Sequence, residues 1–477
     1  MQIPRSDVPG GASEYETLRT NQREDKMKST ITKTFFYHIY PLGLCGCPHQ
    51  NTFSCPAGQC FEKLSTDLPR IKSLGVNALY IGPVFESTSH GYDTVDYYHI
   101  DRRLGNNESF RQFCEKCHEA GIKIVLDAVF NHTGRDFFAF KDIQKNGVSS
   151  PYRNWYANLS FDRKSCYGDN FYYDGWAGCM NLVKLNVDNS EVQDHLFGAV
   201  RFWKEQFKID GLRLDAADVL SPAFLDALGG FCRSIDEDFW LLGEVVHGDY
   251  NNWAKHGRID SVTNYELYKG LWSSFNSRNF FEVAYSLNRQ FGSGGIYTYA
   301  PLYTFADNHD VDRTASTLTN DAHLFPLYGL LFTVPGIPSV YYGSEYALKG
   351  KRTHCSDSQL RPSLPPFAES FPDFAKPSAD SGALFSAIQT FAKIRAESPA
   401  LQHGSYREVF VSHEQLAFLR ETEGEKVLVA VNAGNTENTI SPGRLPGSWT
   451  DVLNGGTYEN LNQVTIPRSW LRILKQN

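Results

Sequence analysis

Four carboxylates stand where a chain of this kind could do chemistry. Asp127, Asp215, Glu244 and Asp310 each close a short apolar run or follow it closely. A single acid in such a place is an ordinary helix cap or loop ion pair. Several converging on one rim suggest more. Cleaving a glycosidic bond with retention needs two carboxyl groups about 5–5.5 Å apart, one ionised to attack and one protonated to release the leaving oxygen. Arg213 lies two residues before Asp215, on the same face of an extended strand, where its charge would favour an ionised nucleophile.

The elements that must hold these acids read as buried parallel strands. They are FFYHIY (35–40), NALYIG (77–82), IKIVLD (122–127), DGLRLD (210–215), FWLLGE (239–244), PLYTFAD (301–307) and PSVYYG (338–343), with IDSVTNYEL (259–267) a weaker eighth. Runs that are continuously apolar suit strands covered on both faces, and the intervals carry amphipathic helices such as SEVQDHLFGAVRFWKEQF. This pattern predicts an α/β fold, a (β/α)8 TIM barrel, whose chemistry sits at the C-terminal strand ends. Neighbouring strands lie about 4.7–4.9 Å apart, so the ends of strands four and five can hold the carboxyl pair.

The barrel is expected over 30–132 and 189–400, with an inserted subdomain over 133–188 after strand three. A loop that long inside a compact fold is usually functional. From 401 to 477 the pattern alternates between turn signals and predicts an antiparallel β domain, a β-sandwich. Residues 1–29 are polar and aperiodic and are expected to be disordered.

The short motifs DAVFNH (127–132), GLRLDAAD (211–218), GEVV (243–246) and FADNHD (305–310) occur in that order. In them the chain resembles the α-amylase family of glycoside hydrolases. The resemblance implies that Asp215 is the nucleophile, Glu244 the acid/base and Asp310 a fixed carboxylate gripping sugar hydroxyls. It implies that His132 and His309 hydrogen-bond the sugar at the cleavage subsite. SHGYDTVDYYHID (89–101) resembles the family's loop after strand two, with Tyr92 stacking on the reacting sugar. SDSQLRP (356–362) resembles the loop where an Asp and an Arg bind that sugar, here Asp357 and Arg361; a surface ion pair is the alternative.

Within the insert, NLVKLN (181–186) is most similar to the form found in neopullulanases and cyclomaltodextrinases, and Ala216 and Ala217 resemble an α-1,4-acting enzyme. The implied substrate is a maltodextrin, starch fragment or cyclodextrin. The alternatives are a glucan transferase, an α-1,6-acting glucosidase of the same family, or an inactive sugar-binding relative. Two departures stand out. Cyclomaltodextrinases carry an N-terminal β-sandwich that helps them dimerise, and here a short polar segment precedes the barrel, so a monomer or weak dimer is expected. Calcium-dependent relatives have a His four residues after the nucleophile, where this chain has Val219, which offers no side-chain donor. No cofactor is expected; Asn131, Asp169 and Asp174 are the alternative cation ligands. Tyr172, Tyr173 and Trp176 either wall the cleft or form the insert's own core.

Composition fits this reading. Net charge is -8 and aromatics make up 14% of the chain, which suits stacking on a neutral sugar and gives no basic footprint for nucleic acid. No stretch is long and apolar enough to span a bilayer. The N-terminus lacks the apolar core of a signal peptide, so a reducing, cytoplasmic setting is expected. Ten cysteines include Cys45, Cys47, Cys55 and Cys60 in one stretch, expected to be free thiols, with a disulfide or zinc as alternatives. Cys114 and Cys117 are placed in a helix by packing.

Overall fold

A computed structural model of the chain describes residues 30–254, 258–298, 300–354, 356–375 and 381–477. The segment 1–29, expected to be disordered, lies outside the described residues. The eight barrel strands are Phe36–Ile39, Ala78–Ile81, Lys123–Ala128, Gly211–Leu214, Trp240–Gly243, Ser261–Val262, Tyr303–Phe305 and Ile337–Tyr341. They form one sheet in the order 6-5-4-3-2-1-8-7, each pair parallel. A parallel bridge between Thr263 and Tyr303 closes the ring, with the Asn264 N–H donating to the Tyr303 carbonyl at 2.8 Å. The fold is the expected (β/α)8 barrel with an insert after strand three and a C-terminal antiparallel β domain.

Side-chain alternation sorts each strand between two cores. Phe36, Ala78, Tyr80, Val125, Trp240, Leu242, Tyr303, Phe305 and Ile337 point into the barrel and pack together there. Their neighbours, such as Tyr37, Leu79, Ile124, Leu212 and Leu241, face the surrounding helices. Those helices begin on polar caps. Asn189 accepts the N–H groups of Glu191 and Val192 to start helix Ser190–Phe207, which buries Val192, Leu196, Val200 and Trp203 at helical spacing. Asn106 and Ser109 form a reciprocal capping box on helix Asn107–Glu119. Cys114 and Cys117 lie on that helix's buried face, so packing accounts for them.

The insert folds on its own three-stranded sheet, with Cys179–Lys184 between His132–Gly134 and Gly175–Trp176. Its small core gathers the rings of Phe140, Tyr156, Phe171 and Tyr173. Because the first strand of this sheet begins at His132, the insert is anchored directly beside the rim of the barrel.

The C-terminal unit is a six-stranded antiparallel sheet, Ser405–Val411, Gln415–Glu421, Lys426–Asn432, Trp470–Gln476, Leu445–Asp451 and Thr457–Leu461 in spatial order, covered by the pair Asn438–Ile440 and Val464–Ile466. Period two splits its faces. Ala417, Leu419, Leu428 and Leu474 face the second sheet, whereas Leu416, Phe418, Val429 and Ile473 join the barrel's helical core. At the junction Leu471 seats on Gly329 of helix Leu324–Thr333, where a Cβ would stand 2.4 Å from Leu471 Cδ1. Among the described residues no helix is long and apolar enough to cross a membrane.

Cys45 and Cys60 are joined by a disulfide, contrary to the expectation of free thiols. The bond links the turn after helix Pro41–Leu44 to the first residue of helix Cys60–Ser73. Spacing alone does not reveal it, because the contact depends on how the two helix ends fold back together.

Candidate active site

Inward-facing positions near the C-terminal strand ends create the polar layer. Arg213 pairs across strands with Asp127 on one side and Leu242 on the other. Its guanidinium is buried and forked. Nη1 lies 2.8 Å from Asp127 Oδ1 and 2.9 Å from Asp215 Oδ1, while Nη2 lies 2.7 Å from Glu244 Oε1. Leu214 is in register with Gly243, so Asp215 and Glu244, the next residues, leave adjacent strands side by side. After Asp215 the chain turns through Ala216, whose φ of 46° is left-handed, and the Ala216 N–H donates to Glu244 Oε2 at 3.0 Å.

Burial raises the Glu244 carboxyl, and Arg213 opposes that rise without cancelling it. Burial likewise raises Asp215, with Arg213 opposing and Glu244 and Asp127 reinforcing. The two acids therefore hold a proton between them more tightly than two exposed carboxyls would. Asp310 behaves in the opposite way. Burial pushes it up, but His309, Arg361 and Arg213 outweigh that and hold it below the usual carboxylate range.

The Asp310 wall is built from two loops. His309 Nε2 lies 2.9 Å from Asp310 Oδ2, and Arg361 Nη2 lies 2.8 Å from Oδ1 and 3.3 Å from Asp357 Oδ2. Asn308 Oδ1 accepts the N–H groups of Asp310 and Val311, which fixes the turn that presents the acid. Asp357 is also held by Arg352 Nε at 2.7 Å. Asp357 and Arg361 thus form an ion pair, but one attached to Asp310 and not isolated on the surface.

Between this wall and the strand-three acid, Tyr92 stacks on His309 at 5.6 Å between ring centres, and its hydroxyl donates to Asp127 Oδ2 at 2.9 Å. Asn131 Nδ2 donates to His132 Nδ1 at 3.1 Å, and burial pushes His132 down to about 3, so the ring is neutral. Its Nε2 then carries the hydrogen, and that atom is buried without a partner among the described residues. Trp176, 36% exposed, stands 5.8 Å from His132 between ring centres.

The structure therefore brings Asp215, Glu244, Asp310, Arg213, Tyr92, His132, His309, Asp357, Arg361 and Trp176 around one barrel mouth. It places Tyr173 elsewhere. Tyr173 is fully buried in the insert's core, with its hydroxyl on the Met180 carbonyl at 2.8 Å. Tyr172 is half-buried, its ring covered by the Arg163 guanidinium at 3.9 Å. Two of the three alternative cation ligands have protein partners. Asp169 forms a two-pronged pair with Arg135 at 2.8 and 2.9 Å, and Asp174 accepts from Asn158 Nδ2 at 2.5 Å. Val219 is exposed and adds no donor.

Several residues of the site escape the sequence reading. His38 stacks on Tyr80 at 4.1 Å, and Tyr80 donates to Asp127 Oδ2 at 2.8 Å. Both could be found by extending the inward alternation of strands one and two to their last inward residue. Tyr40 lies under Arg361, whose Cζ is 4.6 Å from the ring centre. Asn308 Nδ2 donates to the Tyr265 hydroxyl at 3.0 Å, and Tyr265 lies 3.5 Å from Glu244 Oε1. No spacing rule links Tyr265 to Glu244.

Two carboxyl groups on adjacent strands, bridged by an arginine at the mouth of a (β/α)8 barrel, are compatible with the carboxyl pair that a glycoside hydrolase needs. Comparison with known proteins agrees. The family profile "Alpha amylase, catalytic domain" matches residues 61–365. A cyclomaltodextrinase from a Bacillus species is 30% identical over 86% of this chain and 75% of its own length. Neopullulanase 2 of Thermoactinomyces vulgaris is 31% identical over 81% of this chain, which spans 65% of that protein. Among solved structures, the cyclic α-maltosyl-(1→6)-maltose hydrolase of Arthrobacter globiformis matches with a TM-score of 0.78 and 25% identity, covering 94% of this chain and 99% of its own. The chain is an enzyme of the α-amylase family.

Proposed function

We propose that this enzyme hydrolyses α-1,4-glucosidic bonds of maltodextrins and cyclodextrins by double displacement, with retention. The observation that carries the reading is the Arg213 fork, which holds Asp215 and Glu244 side by side on strands four and five. Adjacent strands lie about 4.7–4.9 Å apart, close to the carboxyl spacing of retaining enzymes. Asp215 attacks the anomeric carbon as Glu244 protonates the departing oxygen. Glu244 then takes a proton from water, which releases the sugar from Asp215. Asp310 and His309 receive hydroxyls of the reacting ring, with Asp357 and Arg361 behind them. His132 Nε2 offers a hydrogen-bond donor, and Trp176 a stacking face. No step calls for a metal, and activity is expected to survive EDTA.

The names of the relatives, a cyclomaltodextrinase, a neopullulanase and a cyclic maltosyl-maltose hydrolase, support an α-glucan substrate with cyclic forms included. The test offers maltoheptaose, β-cyclodextrin, pullulan and isomaltose in parallel and separates the products. Shortening of maltoheptaose and β-cyclodextrin with isomaltose left intact supports the reading. Products longer than maltoheptaose as the main outcome would make the enzyme a transferase.

A further inference from the structure

A cavity of about 840 Å³ lies at the end of the barrel away from the carboxylates. Thr32, Pro301 and Gly336, which precede the first, seventh and eighth strands, form one side of it; Ser405, Tyr406 and Arg420 of the C-terminal sheet form another. Its size is within the range of small-molecule sites.

The unusual feature is buried positive charge. Arg420 is 1% exposed and lines the cavity, and Arg395, 3% exposed, lies behind it. Among the described residues neither pairs with a carboxylate. Arg420 donates to the carbonyls of Thr333, Ser405 and Gly404 at 2.6, 3.2 and 3.0 Å. Arg395 donates to those of Phe332, Leu401, Thr32 and Gly336, and its Nε has no partner among the described residues. Burial pushes Arg395 down to about 9, and burial together with Arg395 pushes Arg420 down. A buried charge without a counter-charge is costly, and two that repel each other are costlier.

Unused hydrogen-bonding capacity meets at the same place. Among the described residues the three bonds of Arg420 leave two of its five N–H groups unused. Tyr406, 4% exposed and lining the cavity, has a hydroxyl with no partner among the described residues. The two carboxylates on the rim are engaged. Glu421 lies 3.7 Å from Arg407 and 3.4 Å from Lys426, and Glu408 accepts from Asn288 Nδ2 at 2.6 Å. Phe291 and Tyr297 supply flat apolar wall.

We propose that this cavity binds a small organic anion, a carboxylate or phosphate monoester on a ring-sized body, with the charged group on Arg420 and the Tyr406 hydroxyl. The anion supplies the missing counter-charge, and the body lies against Phe291 and Tyr297. Binding here clamps the barrel base to the C-terminal sheet and stabilises the fold without entering the reaction.

The test follows thermal melting of the full chain with glucose 6-phosphate, glucuronate, inorganic phosphate or glucose at equal ionic strength. Tyr406→Phe, which keeps the ring, is run beside wild type, together with Arg420→Met. The expected result is a rise in Tm with glucose 6-phosphate or glucuronate that exceeds the rise with glucose, the larger of the two identifying the charged group. Affinity in Tyr406→Phe should fall about tenfold or more, as expected for loss of a hydrogen bond to a charged group. Anions that do no better than glucose would overturn the proposal. So would an unchanged affinity in Tyr406→Phe, whether or not Arg420→Met folds.

Discussion

Ala216 gives its N–H to Glu244 Oε2 at 3.0 Å from a left-handed backbone, φ 46°. That conformation costs a residue with a Cβ about 1–2 kcal/mol. It persists because it turns the chain just after Asp215 and aims an amide at the acid on the next strand. Ala216→Gly removes the strain and adds chain entropy to the unfolded state, so its stability should stay within about 1 kcal/mol of wild type with kcat preserved. Ala216→Val, β-branched at positive φ, should lose about 2 kcal/mol or more and at least about tenfold in kcat. Thermal melts and steady-state kinetics on the two variants check this.

The carboxyl pair fixes the pH profile. Glu244 is raised by burial, with Arg213 opposing. Activity needs Glu244 protonated, so the alkaline limb of kcat/KM should lie above the ordinary glutamate value of about 4.3. Glu244→Gln should abolish that limb. For stability, a raised group contributes fully below its unfolded pKa and loses that contribution as pH rises through the folded one. Glu244→Gln should therefore gain on wild type as pH rises. Asp310 is depressed, so its contribution is present above about 3.9 and lost as pH falls. Asp310→Asn should be destabilised near neutrality and converge on wild type in acid. Melts from about pH 3 to about pH 8 test both signs.

Trp176 and Tyr173 should part company. Trp176 is exposed beside His132, and Tyr173 is buried against Phe140. Trp176→Ala should leave Tm nearly unchanged and weaken long maltodextrins more than a short activated glucoside. Tyr173→Ala should cost about 3–5 kcal/mol of stability and lower activity on both substrates alike. Melts paired with kinetics on the two substrates separate these effects.

The Cys45–Cys60 bond spans 15 residues of chain. Closing a loop of that length is worth about 3 kcal/mol in the chain-entropy account. Cys60→Ser should melt lower than wild type under oxidising conditions. A reductant should lower the wild-type Tm and leave the variant where it was.

Much of this structure is legible in the sequence, for identifiable reasons. Seven strands announce themselves as apolar runs because both faces of each are buried. The sixth is faint because it is two residues, Ser261–Val262, followed at once by helix Tyr265–Ser277. The acids are legible because chemistry fixes them at strand ends. What surrounds them is less so. Tyr40 and Tyr265 reach the site from the starts of short-linked helices that follow strands one and six, and Ala216 through one backbone angle that its residue type does not signal. Tyr173 and Trp176 sit three residues apart in a segment without periodicity, so only the fold of the insert tells core from cleft. The disulfide depends on two helix ends meeting, and the buried pair Arg395 and Arg420 depends on how the C-terminal sheet docks.

The central claim is a double displacement through Asp215 and Glu244, and the anomeric form of the first product tests it most directly. Proton NMR of maltoheptaose hydrolysis, recorded before mutarotation, reads that form. Appearance of the α-anomer at the new reducing end first, with Asp215→Asn giving no product, is the predicted result. Appearance of the β-anomer first, or turnover by Asp215→Asn within about tenfold of wild type, would contradict it.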